Sequence, residues 1–168
     1  ALEPAAQLIC RTWAKRYGRV PDFVVLEGVF NKARYDSFLL RNEPYIGICP
    51  PGHPLDGQTI SPEALLGQRL ILREEGSGTR DLLERALAQC SYTVEAFSGT
   101  VCVSSFKVIR DLVCAGYGIS FVYAAVATDL PAPGRFFCPP LTGSHELNAV
   151  WLKGTDAGAL ARAFVAGL

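Results

Sequence analysis

Short apolar runs alternate with amphipathic stretches along this chain, and the alternation predicts strands and helices in turn. Residues 4–17 carry Leu8, Ile9, Thr12 and Trp13 on one helical face, with Arg11, Lys15 and Arg16 elsewhere, the spacing of an amphipathic helix. The β-rich run DFVVL at 22–26 predicts a strand covered on both faces, and YIGIC at 45–49 predicts another, closed by the turn PPGHP at 50–54. Ser61 and Pro62 are placed to start a short helix, as N-cap and first helical residue. A strand at 69–72, a tight loop at 75–78 and a helix at 79–89 follow. The unit then repeats as strand 93–97, loop 98–104 and helix 105–115, with Gly116 as the left-handed residue that ends the helix. Further strands are expected at 119–123, 135–138 and 147–152, with a loop at 131–134. A last amphipathic helix at 156–168 carries Leu160, Phe164 and Val165.

Strands alternating with helices define an α/β chain with mainly parallel sheets and right-handed crossovers. The middle, residues 38–132, holds a full set of strand–helix units. The outer pieces, 1–37 and 133–168, must pack together to be stable. The expected organisation is therefore a discontinuous first lobe with a second lobe inserted into it.

Composition narrows the function classes. The chain has 168 residues, 49% hydrophobic and 19% charged, which excludes intrinsic disorder and is enough for a substantial core. Sixteen basic residues balance sixteen acidic ones, so the chain is a poor candidate for gripping nucleic acid by itself. No apolar run approaches the roughly 18 residues of a membrane span, and no secretory leader is read at Ala1. The chain begins with Ala and contains no Met, so it reads as part of a longer one. Its six cysteines, Cys10, Cys49, Cys90, Cys102, Cys114 and Cys138, match no zinc spacing. Most lie in apolar stretches, where a thiol behaves as a small buried hydrophobe, so reduced cysteines and a cytoplasmic location are expected.

The stretch LILREEGSGTR at 70–80 is the most informative. A strand delivers a Gly-rich turn into a helix, and Gly76 and Gly78 let the backbone fold tightly and bring its N–H groups near a ligand. The unbonded amides and positive dipole end of the next helical turn suit an anion. Ser77 and Thr79 add hydroxyls, and Arg80 adds a guanidinium fork. The competing assignment has Ser77 or Thr79 capping the helix while Arg80 pairs with Glu84 one turn on. A second strand–loop–helix passage, GTVCVSS at 99–105, makes Thr100, Ser104 and Ser105 pocket candidates, with simple capping as the alternative. Glu27, at the carboxyl end of its strand, is a third candidate, against plain solvent exposure.

Catalytic patterns are missing. His53 and His145 fall in expected surface turns, no Ser has the spacing of a nucleophile elbow, and no acid–histidine set has metal-ligand spacing. The chain is therefore not expected to be an enzyme, and no metal or cofactor is called for.

The run DFVVLEG at 22–28, the turn PGHPL at 51–55, REEGSGTR at 73–80, VCAGYGI at 113–119 and the terminal AVWLK at 149–153 occur in one order. Together they resemble the effector-binding domain of LysR-type transcriptional regulators, over residues 22–168. The resemblance implies two lobes like those of type 2 periplasmic binding proteins, with a small effector in the cleft between them. The loop at 76–80 and the helix start near 100–105 would flank that cleft. It implies a side-by-side homodimer and DNA contact only through a winged helix-turn-helix that this chain lacks. The family also places another strand and helix between features like 4–20 and Asp22, so the first lobe is expected to be incomplete. The expected effector is a small anionic metabolite. A solute-binding receptor for transport, built on the same fold, is the alternative.

Overall fold

A computed structural model describes residues 18–19, 21–27, 30–128 and 130–167. The helix expected at 4–17 lies outside these residues. The chain divides into two compact units: the described residues up to Asn42 with those from His145 onward, and Glu43–Ser144. It passes between them inside two strands, β2 (Tyr35–Cys49) and β7 (Gly143–Leu152). These limits differ from 38 and 132, because both connecting strands run much further than their apolar runs indicated.

The second unit contains the carboxyl part of β2 and then α1 (Pro62–Leu65), β3 (Arg69–Leu72) and α2 (Gly78–Gln89). A 3-10 turn at Val94–Ala96, β4 (Gly99–Cys102) and α3 (Phe106–Cys114) follow, then β5 (Ser120–Tyr123), a 3-10 turn at Ala124–Ala127 and β6 (Gly134–Phe136). Period-2 alternation sorts each strand's side chains onto two faces. Tyr45, Leu70, Leu72, Phe121, Tyr123 and Phe136 share one core with Leu83 and Leu87 of α2. Ile46, Ile48, Ile71 and Val122 share the other with Ile109 and Val113 of α3. The strands read as continuous apolar runs because a helix covers each face. Between them, Gly47 leaves room for the Phe136 ring, which a Cβ at that position would strike.

In the first unit β1 (Val24–Glu27) lies antiparallel beside β7, pairing Val24 with Val150 and Glu27 with Leu147, and β2 flanks β7 on its other side. Leu26, Phe30, Tyr35 and Val150 fill one face. On the other, Ala149 and Trp151 meet Ala157 and Ala161 of α4 (Ala157–Ala166), with Phe23 and Phe38 alongside. The Arg162 guanidinium lies 5.1 Å over the Phe38 ring.

Several sequence expectations need correction. The pairing is mixed rather than mainly parallel: β3 and β4 run parallel, but β2 meets β5 and β6 antiparallel, as β1 meets β7. The strand near 22–26 is not covered on both faces, since Val25 is 48% exposed. The strand expected at 93–97 is a 3-10 turn, and the loop expected at 98–104 contains β4. Backbone pairing with β3, not burial, makes that strand, because Thr100, Val101 and Cys102 are exposed. His145 lies inside β7, not in a turn. The last helix turns Ala157 and Ala161 inward and leaves Leu160 and Phe164 half exposed, so its larger residues are not its buried face. Of the described cysteines all are free: Cys49 and Cys138 are buried, and Cys102 is exposed. Burial pushes the Cys49 and Cys138 thiols up to about 11, so they stay protonated at neutral pH.

Candidate functional site

Eight of the nine candidate residues fall in the second unit. The ladder between β3 and β4 pairs Arg69 with Gly99 and Leu72 with Cys102, so two parallel strands end side by side. The Val103 N–H donates to the Leu72 carbonyl at 2.9 Å and extends the pairing one residue past the strands. Each strand then turns into a helix, β3 into α2 and β4 into α3. This side-by-side ending brings the two helix starts together at the carboxyl edge of the sheet, where ligands collect in open α/β folds.

Gly76 adopts φ +82°, a left-handed conformation that a Cβ would strain, and Ser77 then takes the extended backbone of an N-cap. The Asp81 N–H is the first to bond back into α2, reaching the Ser77 carbonyl at 3.0 Å. The amides of Gly78, Thr79 and Arg80 precede that bond and form the donor-rich first turn. Ser77 makes no side-chain capping bond and is partly exposed.

The start of α3 uses its serine differently. Ser105 Oγ accepts from the Val108 N–H at 3.5 Å, the capping alternative, while Ser104 is exposed beside it. Thr100 lies in the middle of β4 opposite Leu70, exposed and not in a loop. Thr79 is 2% exposed, and its side chain faces inward. Glu27 ends β1 in the first unit. The structure thus gathers Gly76, Ser77, Gly78, Thr79, Arg80, Ser104 and Ser105 at one sheet edge, with Thr100 inside the edge strand.

The local electrostatics are balanced. Arg80 Nε donates to Glu84 at 2.6 Å, Nη1 reaches the Arg73 carbonyl at 3.4 Å, and Glu75 lies 3.7 Å from Nη2. The Glu84 bond holds the Arg80 guanidinium above its ordinary pKa. Arg73 grips the Glu74 carboxylate through two N–H groups at 2.8 and 2.9 Å and draws the carboxyl down to about 2. These acids neutralise both arginines. No group of histidine, cysteine and acidic residues suited to a metal ion occurs among the described residues.

Three residues beside these helix starts escaped sequence reading. The Arg73 guanidinium sits 4.3 Å over the Phe106 ring, joining the end of β3 to the first residue of α3. Tyr45, from the distant strand β2, donates its hydroxyl to the Thr79 carbonyl at 3.0 Å. Arg73 and Phe106 do flank the two strand ends, a signal available in the sequence once the strands are known to be neighbours. Nothing in the sequence around Tyr45 points to Thr79.

Comparisons with known proteins agree with this architecture. A family model described as the LysR substrate binding domain matches residues 19–168. The CbbR transcriptional regulator of Sinorhizobium medicae is 38% identical over 109 residues, 64% of this chain and 31% of that protein. A RuBisCO operon transcriptional regulator of Allochromatium vinosum is 33% identical over 82 residues, 48% of this chain and 26% of that protein. The chain thus spans less than a third of the length of these relatives. Among solved structures, the CcmR regulatory domain of Synechocystis in complex with 2-PG superposes with a TM-score of 0.78 at 17% identity, covering 97% of this chain and 79% of that one. The effector-binding domain of QuiR in complex with shikimate gives 0.71 at 17% identity, covering 95% and 75%. At such identities the likeness establishes the fold alone, the α/β type 2 periplasmic-binding-protein class.

Proposed function

The chain belongs to the LysR substrate-binding domain family, and on that premise we propose that it is the effector-sensing part of a LysR-type transcriptional regulator. Its effector is a small anionic metabolite, held at the start of α2 by the amides of Gly78, Thr79 and Arg80 and by the Ser77 hydroxyl. Ser104, on the adjacent loop, completes the polar edge of that site. Binding favours one arrangement of a homodimer over another, and a winged helix-turn-helix elsewhere in the regulator reads the result on DNA. The relatives' names as transcriptional regulators support this reading, as do the small ligands in the titles of two structures of the same fold.

The observation that carries the proposal is the first turn of α2, which follows the left-handed Gly76 and whose N-cap Ser77 makes no side-chain capping bond. An anion there meets convergent donors at the positive end of a 12-residue helix. Calorimetry and thermal-shift screening against small carboxylates, sulfur metabolites and phosphorylated acids, with 2-PG and shikimate included, test the proposal. The expected result is a saturable ligand that shifts the backbone amide resonances of Gly78, Thr79 and Arg80, and that binds Ser77→Ala about tenfold more weakly, the loss of one hydrogen bond to a charged group. A ligand that binds tightly yet leaves those resonances in place, or that tolerates Ser77→Ala unchanged, sinks the assignment.

A further inference from the structure

Tyr45 is 1% exposed, and its hydroxyl donates to the Thr79 carbonyl oxygen at 3.0 Å. That carbonyl belongs to the peptide group whose N–H is contributed by Arg80, one of the three first-turn amides. A donor on the oxygen draws electron density along the peptide and makes the Arg80 N–H a stronger donor. Tyr45 itself is well fixed. It pairs in register with Tyr123, whose ring meets it edge-on at 5.6 Å, and Phe121 stacks at 6.4 Å. Two residues earlier, the Glu43 carboxylate accepts the Ala125 N–H at 3.2 Å. The segment of β2 by which the chain enters this unit is therefore held by side-chain bonds to two separate elements, the start of α2 and the turn after β5.

We infer that Tyr45 is a positioning residue for the anion at α2, and that its hydrogen bond to Thr79 couples occupancy of that turn to β2. The inference rests on the reading of the turn as the effector site. Its physical core is reciprocity: whatever factor the bond adds to anion affinity, a bound anion adds to the bond. An anion on the Arg80 N–H pushes electron density toward the Thr79 oxygen, which then accepts more strongly from Tyr45. A binding event at the sheet edge is thereby registered on β2, one residue beyond Pro44 and close to where the chain enters the unit at Glu43.

The test is Tyr45→Phe, which keeps the ring and removes only the hydroxyl, with inorganic phosphate and 2-PG as probes. In the ligand-free variant the Arg80 amide proton moves upfield while that of Gly78 stays. For whichever probe binds the unaltered protein, Kd rises about threefold, the effect of part of one neutral hydrogen bond. The probe-induced shifts at the Tyr45 and Ile46 amides shrink as well, which a purely structural role for the hydroxyl does not produce. If a probe shifts the amides of Gly78, Thr79 and Arg80 but the variant binds it equally and its Arg80 amide does not move, the inference is overturned while the site reading stands. If no probe touches those amides, the site reading fails, and with it the coupling to occupancy. Should the variant not fold, the Thr79 carbonyl carbon of the unaltered protein gives the same information: a downfield shift on saturation with the probe supports the coupling, and an unmoved resonance overturns it.

Discussion

The starts of α2 and α3 are built from the same local pattern and end differently. Each follows one of two adjacent parallel strands, and each has a serine at the N-cap position in extended backbone. At α3 the serine closes the turn on itself through Val108. At α2 a left-handed glycine precedes the serine, and no capping bond forms. Capping satisfies a helix start internally, and leaving it open keeps donors for a guest. The difference between the two helix starts is therefore set by how the loop presents the serine, not by the presence of a serine. Arg73 links the two starts, gripping Glu74 on one side and lying over Phe106 on the other.

The comparison holds only if both helices are anchored equally well, and this gives the largest expected effect. Leu83 of α2 is 2% exposed in one core, and Ile109 of α3 is fully buried in the other. Leu83→Ala and Ile109→Ala should each cost about 2–5 kcal/mol, because each removes buried methyl groups and leaves a void in a close-packed layer. Urea unfolding measures both. A loss below about 1 kcal/mol for Leu83→Ala alone would mean that α2 is not pinned by its core, and its first turn could not hold a fixed geometry for a ligand.

That anchoring was largely legible in the sequence, and the site was legible only in part. The apolar runs at 45–49, 69–72 and 119–123 are buried strands because a helix covers each face, and periodicity reports that directly. The helices over 79–89 and 105–115 emerged within a residue of their observed ends, from their apolar spacing and from Ser105 and Gly116. β4 was missed because it is defined by backbone bonds to β3 while its side chains face solvent, so hydrophobicity carries no trace of it. The first ten residues of β2 were missed for a related reason. Asp36, Ser37, Arg41 and Asn42 are exposed, and only Tyr35, Glu43 and the run from Tyr45 are buried. The Gly-rich turn was recognisable as a donor-rich start, because Gly76 and Gly78 constrain the backbone itself. The fate of each side chain was not, since Thr79 turns inward and Arg80 is taken by Glu84 through packing that spacing alone leaves open.

A pair of serine substitutions sharpens the comparison at intermediate scale. Ser105→Ala removes the acceptor of the Val108 N–H and should cost about 0.5–1 kcal/mol, the lower part of the capping range because the 3.5 Å contact is long. Ser77→Ala removes no capping bond and should change stability by less than about 0.5 kcal/mol, as expected for a partly exposed site with no such bond to lose. Paired thermal melts in the absence of ligand check this. Equal losses would show that both serines cap and that the two starts do not differ.

The smallest effect concerns pH and belongs to the α2 side alone. Arg73 draws the Glu74 carboxyl from an ordinary 4.5 down to about 2. A depressed carboxyl stabilises the fold above its unfolded pKa, and the contribution fades as pH falls from about 4.5 through about 2. Glu74 is 43% exposed, so solvent screening keeps the contribution below about 1 kcal/mol. In Glu74→Gln the deficit relative to the unaltered protein should be full at pH 6, shrink below about pH 4.5 and vanish near pH 2. Melting temperatures across that range decide it. Arg73 keeps its place over the uncharged Phe106 ring in this variant, and that contact has no acidic group to titrate. A deficit that stayed constant down to pH 2 would therefore assign Glu74 a packing role and remove the charge pairing from the account of the α2 start.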